Sequence, residues 1–337
     1  MDVINKYQHQ RRNKSIMNEQ VLNLDDVITS AKQDLEKKIT STITDAKIVS
    51  ILEGGKRLRP VLAHLVFKSC TCGKETPDQY QKALEGAVSI ELAHNASLIH
   101  DDIIDKDKER RGKPTFHVKE GVASALLTGH KMLAIGFNIA LNHGKQVAKL
   151  YVESWSEVVN GEFDEVDFNK KDTKNSKLIS TKSKIFDTYL RIIDQKTASL
   201  FSSACRAGAI EANMSGDILK VFSDYGREIG LAYQLADDLV DLAKGEIIAS
   251  VIIPLLNRLE NKTIIKNSLN EKEIREKFAK NSTRIKQLYI DEIKKHVKNA
   301  EELSKSNSIP SSSYKGLLTD VPTYIINKML KEINVTI

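Results

Sequence analysis

Apolar residues recur at intervals of three and four along most of the chain, and no long stretch alternates strictly between apolar and polar. That period belongs to amphipathic helices with one face on a core, not to strands. Val21, Leu24, Val27 and Ile28 open the pattern and predict a first helix over 21–52. "EGGKRLRP" (53–60) breaks it, and Pro60 suits the first turn of a helix continuing through "VLAHLVFKSC". "CGKETPDQ" (72–79) is loop chemistry, after which a long apolar helix is predicted from Tyr80 to Ile104. The turn sequence "KERRGKPT" (108–115) ends it.

The most apolar window, "VASALLTGHKMLAIGFNIAL" (122–141), carries His130 and Lys131 at its centre. Both would be costly inside a bilayer, so 118–142 is expected to be a buried core helix with no stable membrane insertion. Further helices are predicted over 151–166, 185–213 and 217–243, with the polar "NKKDTKNSKLISTKSK" (169–184) as a surface loop. Beyond 256 the charged segments read as solvated amphipathic helices, broken at Pro310. Trp155, Phe163 and the methionines are expected in the core. With 6 Pro and 16 Gly in 337 residues there are few helix breakers, and the expected class is all-α. Residues 1–20 hold no continuous apolar run and read as a disordered extension, leaving 21–337 as one domain.

Composition narrows the partners. A hydrophobic fraction of 41% with 28% charged residues describes a soluble globular chain, and a net charge of +6 favours anionic partners. Phosphates, nucleic acid or a membrane surface would all meet that charge, but no aromatic platform or nucleic-acid motif is present, so nucleic acid is set aside. Three cysteines, Cys70, Cys72 and Cys205, suit a reducing, cytoplasmic location.

Candidate chemistry begins at "SLIHDDIIDKDKERRGKPTFH" (97–117). Asp101 and Asp105 are four apart and share one helix face, with Asp102 beside them. Like charges at that spacing repel, so a structural helix gains nothing from them. "QLADDLVDLA" (234–243) repeats the spacing in Asp237, Asp238 and Asp241. Clustered carboxylates without nearby cysteine are hard oxygen ligands suited to Mg²⁺, which binds through one or two carboxylates plus substrate phosphates. Arg110 and Arg111 follow the first cluster before a Gly-Lys-Pro turn, and Lys56 and Arg59 sit at a glycine-loosened helix start where free N–H groups favour an anion.

"GGKRLRP", "LAHNASLIHDDIIDKDKERRGKPT", "DQKTASLFSSACRAGA" and "QLADDLVDLA", in this order over about residues 50–245, resemble the trans-type isoprenyl diphosphate synthases, or polyprenyl synthetases, of the short-chain, geranylgeranyl diphosphate synthase-like kind. The resemblance implies a single helical barrel around a deep central cavity, usually a homodimer, using Mg²⁺ to condense isopentenyl diphosphate with an allylic diphosphate. It implies that Lys56, Arg59, His94 and Arg111 bind isopentenyl diphosphate and that Arg110 and Lys196 contact the allylic diphosphate. Asp101, Asp105 and Asp237 match metal ligands, with Asp102, Asp238 and Asp241 supporting them, Asp241 also being a candidate ligand. Thr197 and Gln234 match residues near the carbocation.

Small residues at Ala96 and Ala93, roughly 7.5 and 12 Å along the helix axis from Asp101, leave room for a product beyond C15, with C20 expected and Phe137 as a candidate floor. Three departures stand out: the segment 242–255 after the second aspartate cluster has only Lys244, His130 replaces an expected aspartate, and Glu162 replaces an expected glutamine. The rival readings are a catalytically weak regulatory subunit, an all-α His-Asp metal phosphohydrolase using His100, and a terpene cyclase.

Overall fold

In the computed structural model, which describes residues 22–169, 184–246, 249–260 and 269–337, the chain is built almost wholly of helices. They are α1 (Leu24–Thr42), α2 (Ala46–Leu52), α3 (Leu58–Thr71), α4 (Pro77–Ile104), α5 (Phe116–Glu120), α6 (Val122–Asn142) and α7 (Lys145–Asn169). After them come α8 (Lys184–Ile193), α9 (Ser199–Glu211), α10 (Asp217–Ala243), α11 (Ala249–Glu260), α12 (Glu271–Ser304) and α13 (Ser313–Leu330). The expected disordered extension over 1–20 lies outside the described residues, as does the surface loop over 169–184 apart from its two end residues.

Local chemistry sets several of the boundaries. Thr76 and Gln79 form a reciprocal capping box at the start of α4, with Pro77 at the first helical position, and Asn270 and Glu273 cap α12 in the same way. The single helix expected over 21–52 is two, because Asp45 accepts from the backbone N–H groups of Lys47 and Ile48 and starts α2 afresh. The helix expected from Tyr151 starts earlier, at Lys145. "ERRGKP" is not only a turn but a two-stranded ribbon, β1 (Glu109–Arg110) against β2 (Lys113–Pro114), with Arg110 opposite Lys113. Its two loop residues, Arg111 and Gly112, both have φ above 50°, the pairing a tight two-residue hairpin demands.

α10 is the central element, packed on α9, α12 and α13. Phe222, Tyr225, Ile229 and Ala232 on α10 join Phe201 and Cys205 of α9, Leu62 and Phe67 of α3, and Tyr289 and Ile293 of α12 in one buried core. α9 and α10 approach so closely that a Cβ at Gly226 would lie 2.3 Å from the Phe201 carbonyl oxygen, so only glycine fits there. A second core unites Val88, Leu92, Ala96 and Ile99 of α4 with Ala125, Met132 and Ile139 of α6 and the apolar sides of α1 and α2. Each fully buried large side chain contributes about 1.5–3 kcal/mol relative to an exposed one.

The expectation of a buried core helix over 118–142 is corrected. α6 is long and apolar enough to cross a bilayer by length and composition, but only its α4-facing stripe is covered. Val122, Leu126, Leu127, Phe137 and Leu141 are exposed, and Phe163 of α7, also expected in the core, is 66% exposed. Sequence periodicity could not reveal this, because α6 is apolar around most of its circumference and only its neighbours decide which part is covered.

Candidate active site

The predicted helix over 185–213 is interrupted where the chemistry concentrates. Asp194–Ala198 forms one π-helical turn between α8 and α9, a widening that turns both Lys196 and Thr197 into the same cavity. α7 meets this turn at Gly161, where a Cβ would fall 2.9 Å from the Lys196 backbone nitrogen. The cavity occupies about 700 Å³.

Lys56, Arg59, His94, Asp101, Asp105, Arg110, Arg111, Lys196, Thr197, Gln234, Asp237 and Asp241 all line it, so thirteen candidates minus Asp102 converge from segments as far apart as α3 and α10. Asp102 itself is buried behind the wall, its Oδ1 accepting from Arg110 Nε at 2.5 Å. Ala93 and Ala96 do not line the cavity; Ala96 is fully buried in the α4–α6 contact. Phe137, the candidate floor, is not a floor at all, being 38% exposed beside Tyr151. Its side of α6 faces away from α4, which sequence spacing alone could not establish. His100, the anchor of the phosphohydrolase reading, packs against His130 and Trp155 rather than lining the cavity.

One end of the cavity is cationic. Arg57, with φ of 57°, precedes α3 with no side chain capping the free N–H groups, so the helix start itself faces the cavity as a donor site. The Arg57 guanidinium is held by Glu36 at 2.8 Å and Glu91 at 2.7 Å, which fixes the backbone that carries Lys56 and Arg59. Arg59 is buried over the ring of Phe201, 4.3 Å from its centroid, and its Nη1 lies 3.1 Å from His94 Nε2. Burial lowers its pKa to about 10, leaving it a cation at neutral pH. Burial first, then Arg59, Arg111 and Arg110, hold His94 well below its usual range, so its ring is neutral; with Arg59 donating to Nε2, Nδ1 carries the hydrogen. Arg59 Nε has no partner, and a buried donor left so is a cost that an anion would remove.

The opposite walls are acidic. Burial, then Glu165, pushes Asp105 up to about 6; burial, then Asp237, pushes Asp241 up to about 6. Burial also raises Asp237, and it lifts Asp238 to about 7 against the hydrogen bonds from Tyr189 and Gln234. Lys196 bridges to Glu162 at 3.0 Å and to Glu165, and Asp101 leads the acids that raise its pKa against burial. Glu162 is itself raised by burial and Asp101, so this departure from the expected glutamine favours the neutral carboxyl, which donates and accepts as an amide does. Asp101 Oδ1 is buried without a hydrogen-bond partner. Among the described residues no three acidic, histidine or cysteine side chains converge to hold one ion alone. Two facing carboxylate walls with an orphaned oxygen therefore fit a hard cation whose remaining ligands come from a bound polyanion.

These walls match the polyprenyl synthetase family over residues 41–248. The chain belongs to that family, and it is a prenyltransferase. A geranylgeranyl diphosphate synthase of Methanosarcina mazei is 33% identical over 200 residues, 57% of this chain and 56% of that protein, so the alignment spans little more than half of that relative. One of Sulfolobus acidocaldarius is 28% identical over 329 residues, 90% of this chain and 93% of that protein. A solved geranylgeranyl pyrophosphate synthase superposes with a TM-score of 0.71 at 27% identity, covering 90% of this chain and 98% of its own. The all-α architecture expected from the sequence is therefore that of the prenyltransferase fold.

Several residues of the prenyltransferase site escaped the sequence reading. Tyr233 carries the ring 5.9 Å from Lys56 Nζ and could have been found, since it lies four residues before Asp237 on one helix face. Tyr189, Phe168 and Ile192 line the cavity without any motif to mark them.

Proposed function

We propose that this prenyltransferase joins isopentenyl diphosphate to an allylic diphosphate with a new trans double bond, requires Mg²⁺, and yields geranylgeranyl diphosphate. The observation that carries the proposal is the juxtaposition in one cavity of two carboxylate walls with the cationic end formed by Lys56, Arg59 and Arg111 around the neutral ring of His94. Asp101, Asp105 and Asp237, with Asp241, would hold Mg²⁺, which supplies charge neutralisation to the leaving diphosphate. Arg110, paired with Asp102, and Lys196, paired with Glu162 and Glu165, line the same cavity and would take the allylic diphosphate. As the C–O bond breaks, the bond pair leaves with the diphosphate and the C1 carbon becomes cationic. Thr197 and Gln234 line the cavity and would stand beside it, Thr197 donating its hydroxyl proton to the Gln234 carbonyl. The terminal double bond of isopentenyl diphosphate attacks C1, and the released diphosphate removes a proton to close the new double bond.

C20 is supported by the names of the archaeal relatives. On α4 the cavity is lined from Asp105 and Asp101 through Leu98, Ser97 and His94 to Glu91. A homodimer is supported by the uncovered apolar side chains of α6 and α7, from Leu127, 70% exposed, to Phe163. The free, unpaired Cys70, Cys72 and Cys205 suit the cytoplasm.

The test is incubation with Mg²⁺, labelled isopentenyl diphosphate and each of the C5, C10 and C15 starters, with separation of products by length. A dominant C20 product is expected. Condensation with none of them would favour the regulatory-subunit reading, for which one observation speaks: Lys244, the one lysine in 242–255, is bound to Glu332 at 2.7 Å. Phosphate release without isopentenyl diphosphate would favour hydrolysis. In sedimentation the protein is expected as a dimer that Leu127→Glu dissociates.

A further inference from the structure

Tyr289 lies on α12, beyond the stretch matched by the family, and it does not line the cavity. Its hydroxyl is nonetheless 3.3 Å from that of Tyr189, and both rings are buried, 1% and 4% exposed. Tyr189 donates its one hydroxyl proton to Asp238 Oδ2, so in the contact with Tyr289 it accepts and Tyr289 donates. The other oxygen of Asp238 accepts from Gln234 Nε2 at 2.9 Å. A carboxylate accepting on both oxygens selects the nitrogen end of the amide and turns the Gln234 carbonyl away. That carbonyl accepts from Thr197 Oγ1 at 2.8 Å. With its proton engaged there, the Thr197 oxygen offers only lone pairs to the cavity.

We propose that Tyr289 is a positioning residue for prenyl transfer: through Tyr189 and Asp238 it holds the Gln234 amide in the one orientation that keeps the Thr197 lone pairs, rather than its proton, toward the allylic cation. The proposal rests on the reading of Thr197 and Gln234 as the oxygens beside that cation. An amide is nearly symmetric in shape, so packing alone distinguishes its two ends poorly, and the chain of hydrogen bonds makes the choice. Without the Tyr289 hydroxyl, Tyr189 loses its donor and is held less firmly against Asp238, which loosens the carboxylate's grip on the Gln234 nitrogen. The amide can then turn over and drive the Thr197 hydroxyl hydrogen into the cavity, where it opposes developing positive charge.

Tyr289→Phe removes one oxygen and keeps the ring. It is expected to lower kcat about three- to tenfold, the consequence of one lost buried hydrogen bond, with KM for both diphosphates within about twofold of the parent. Thr197→Val is expected to lower kcat by itself, and adding Tyr289→Phe to it should lower kcat no further. An unchanged kcat in Tyr289→Phe, or an equal fall in both backgrounds, overturns the relay. A Thr197→Val enzyme with the parent kcat overturns instead the placement of Thr197 beside the cation. Should Tyr289→Phe melt too low for kinetics, Tyr189→Phe carries the same cycle with the same outcomes.

Discussion

The two aspartate triplets have the same spacing, the same helical setting and opposite fates for their middle residue. Asp102 is buried behind the cavity wall and binds Arg110, so its charge positions a cation that lines the cavity. Asp238 sits in the cavity wall between Tyr189 and Gln234, and its two acceptors orient a neutral amide. The outer residues, Asp101 and Asp105 in one triplet and Asp237 and Asp241 in the other, line the cavity in both. A repeated motif thus contributes a shared function at its ends and two separate functions at its centre, and the difference comes from neighbours supplied by remote segments.

The largest effect that would break this comparison concerns the outer residues. Asp101→Ala and Asp237→Ala should each lower kcat by at least about a thousandfold, the scale of removing a group that stabilises developing charge, while circular dichroism stays that of the parent. Retained turnover in either variant contradicts the metal assignment. The centre of the comparison is tested by the middle residues. Asp102→Asn should mainly raise KM for the allylic diphosphate, about tenfold, through a misplaced Arg110, whereas Asp238→Asn should mainly lower kcat, about ten- to hundredfold, because asparagine offers a donor that lets the Gln234 amide turn over. The same pattern in both variants would erase the distinction.

A smaller effect is expected from pH. Asp105 and Asp241 titrate near 6 in the folded, metal-free protein, above the ordinary carboxylate value. A raised carboxylate pKa means that the folded state holds its proton more tightly than the unfolded chain, so this stability is fully present below the unfolded value near 4 and is lost as pH rises through 6. Metal-free protein should therefore melt a few degrees higher at pH 5 than at pH 7, after discounting for partial exposure, and Mg²⁺ with diphosphate should restore the loss at pH 7. Equal melting temperatures at the two pH values would remove the strain inferred for the walls from burial and, after it, from neighbouring like charge. The smallest effect on turnover, though a clear one on product, belongs to Ala96→Phe. It should shorten the product from C20 toward C15, with about 1–3 kcal/mol of destabilisation from overpacking the α4–α6 contact. An unchanged product would mean that the prenyl tail runs along another wall.

The sequence by itself determined that the chain is helical, that two carboxylate clusters have basic neighbours, and many of the side chains that line the cavity. These features are local: residues four apart share a helix face whatever surrounds them, so Asp101 with Asp105 and Asp237 with Asp241 were paired before any fold was known. Tertiary structure alone decided the rest. It split the helix expected over 21–52 at Asp45, inserted the π turn that brings Lys196 and Thr197 inward, and left one side of α6 uncovered. It also gave Asp102 to Arg110 and Asp238 to Tyr189, and brought Tyr289 to Tyr189 across 100 positions of sequence. The physical reason is that burial and hydrogen-bond partnership belong to pairs of surfaces. A side chain's own residue type states what it can donate, accept or bury, and the segment that folds against it decides which of these it does.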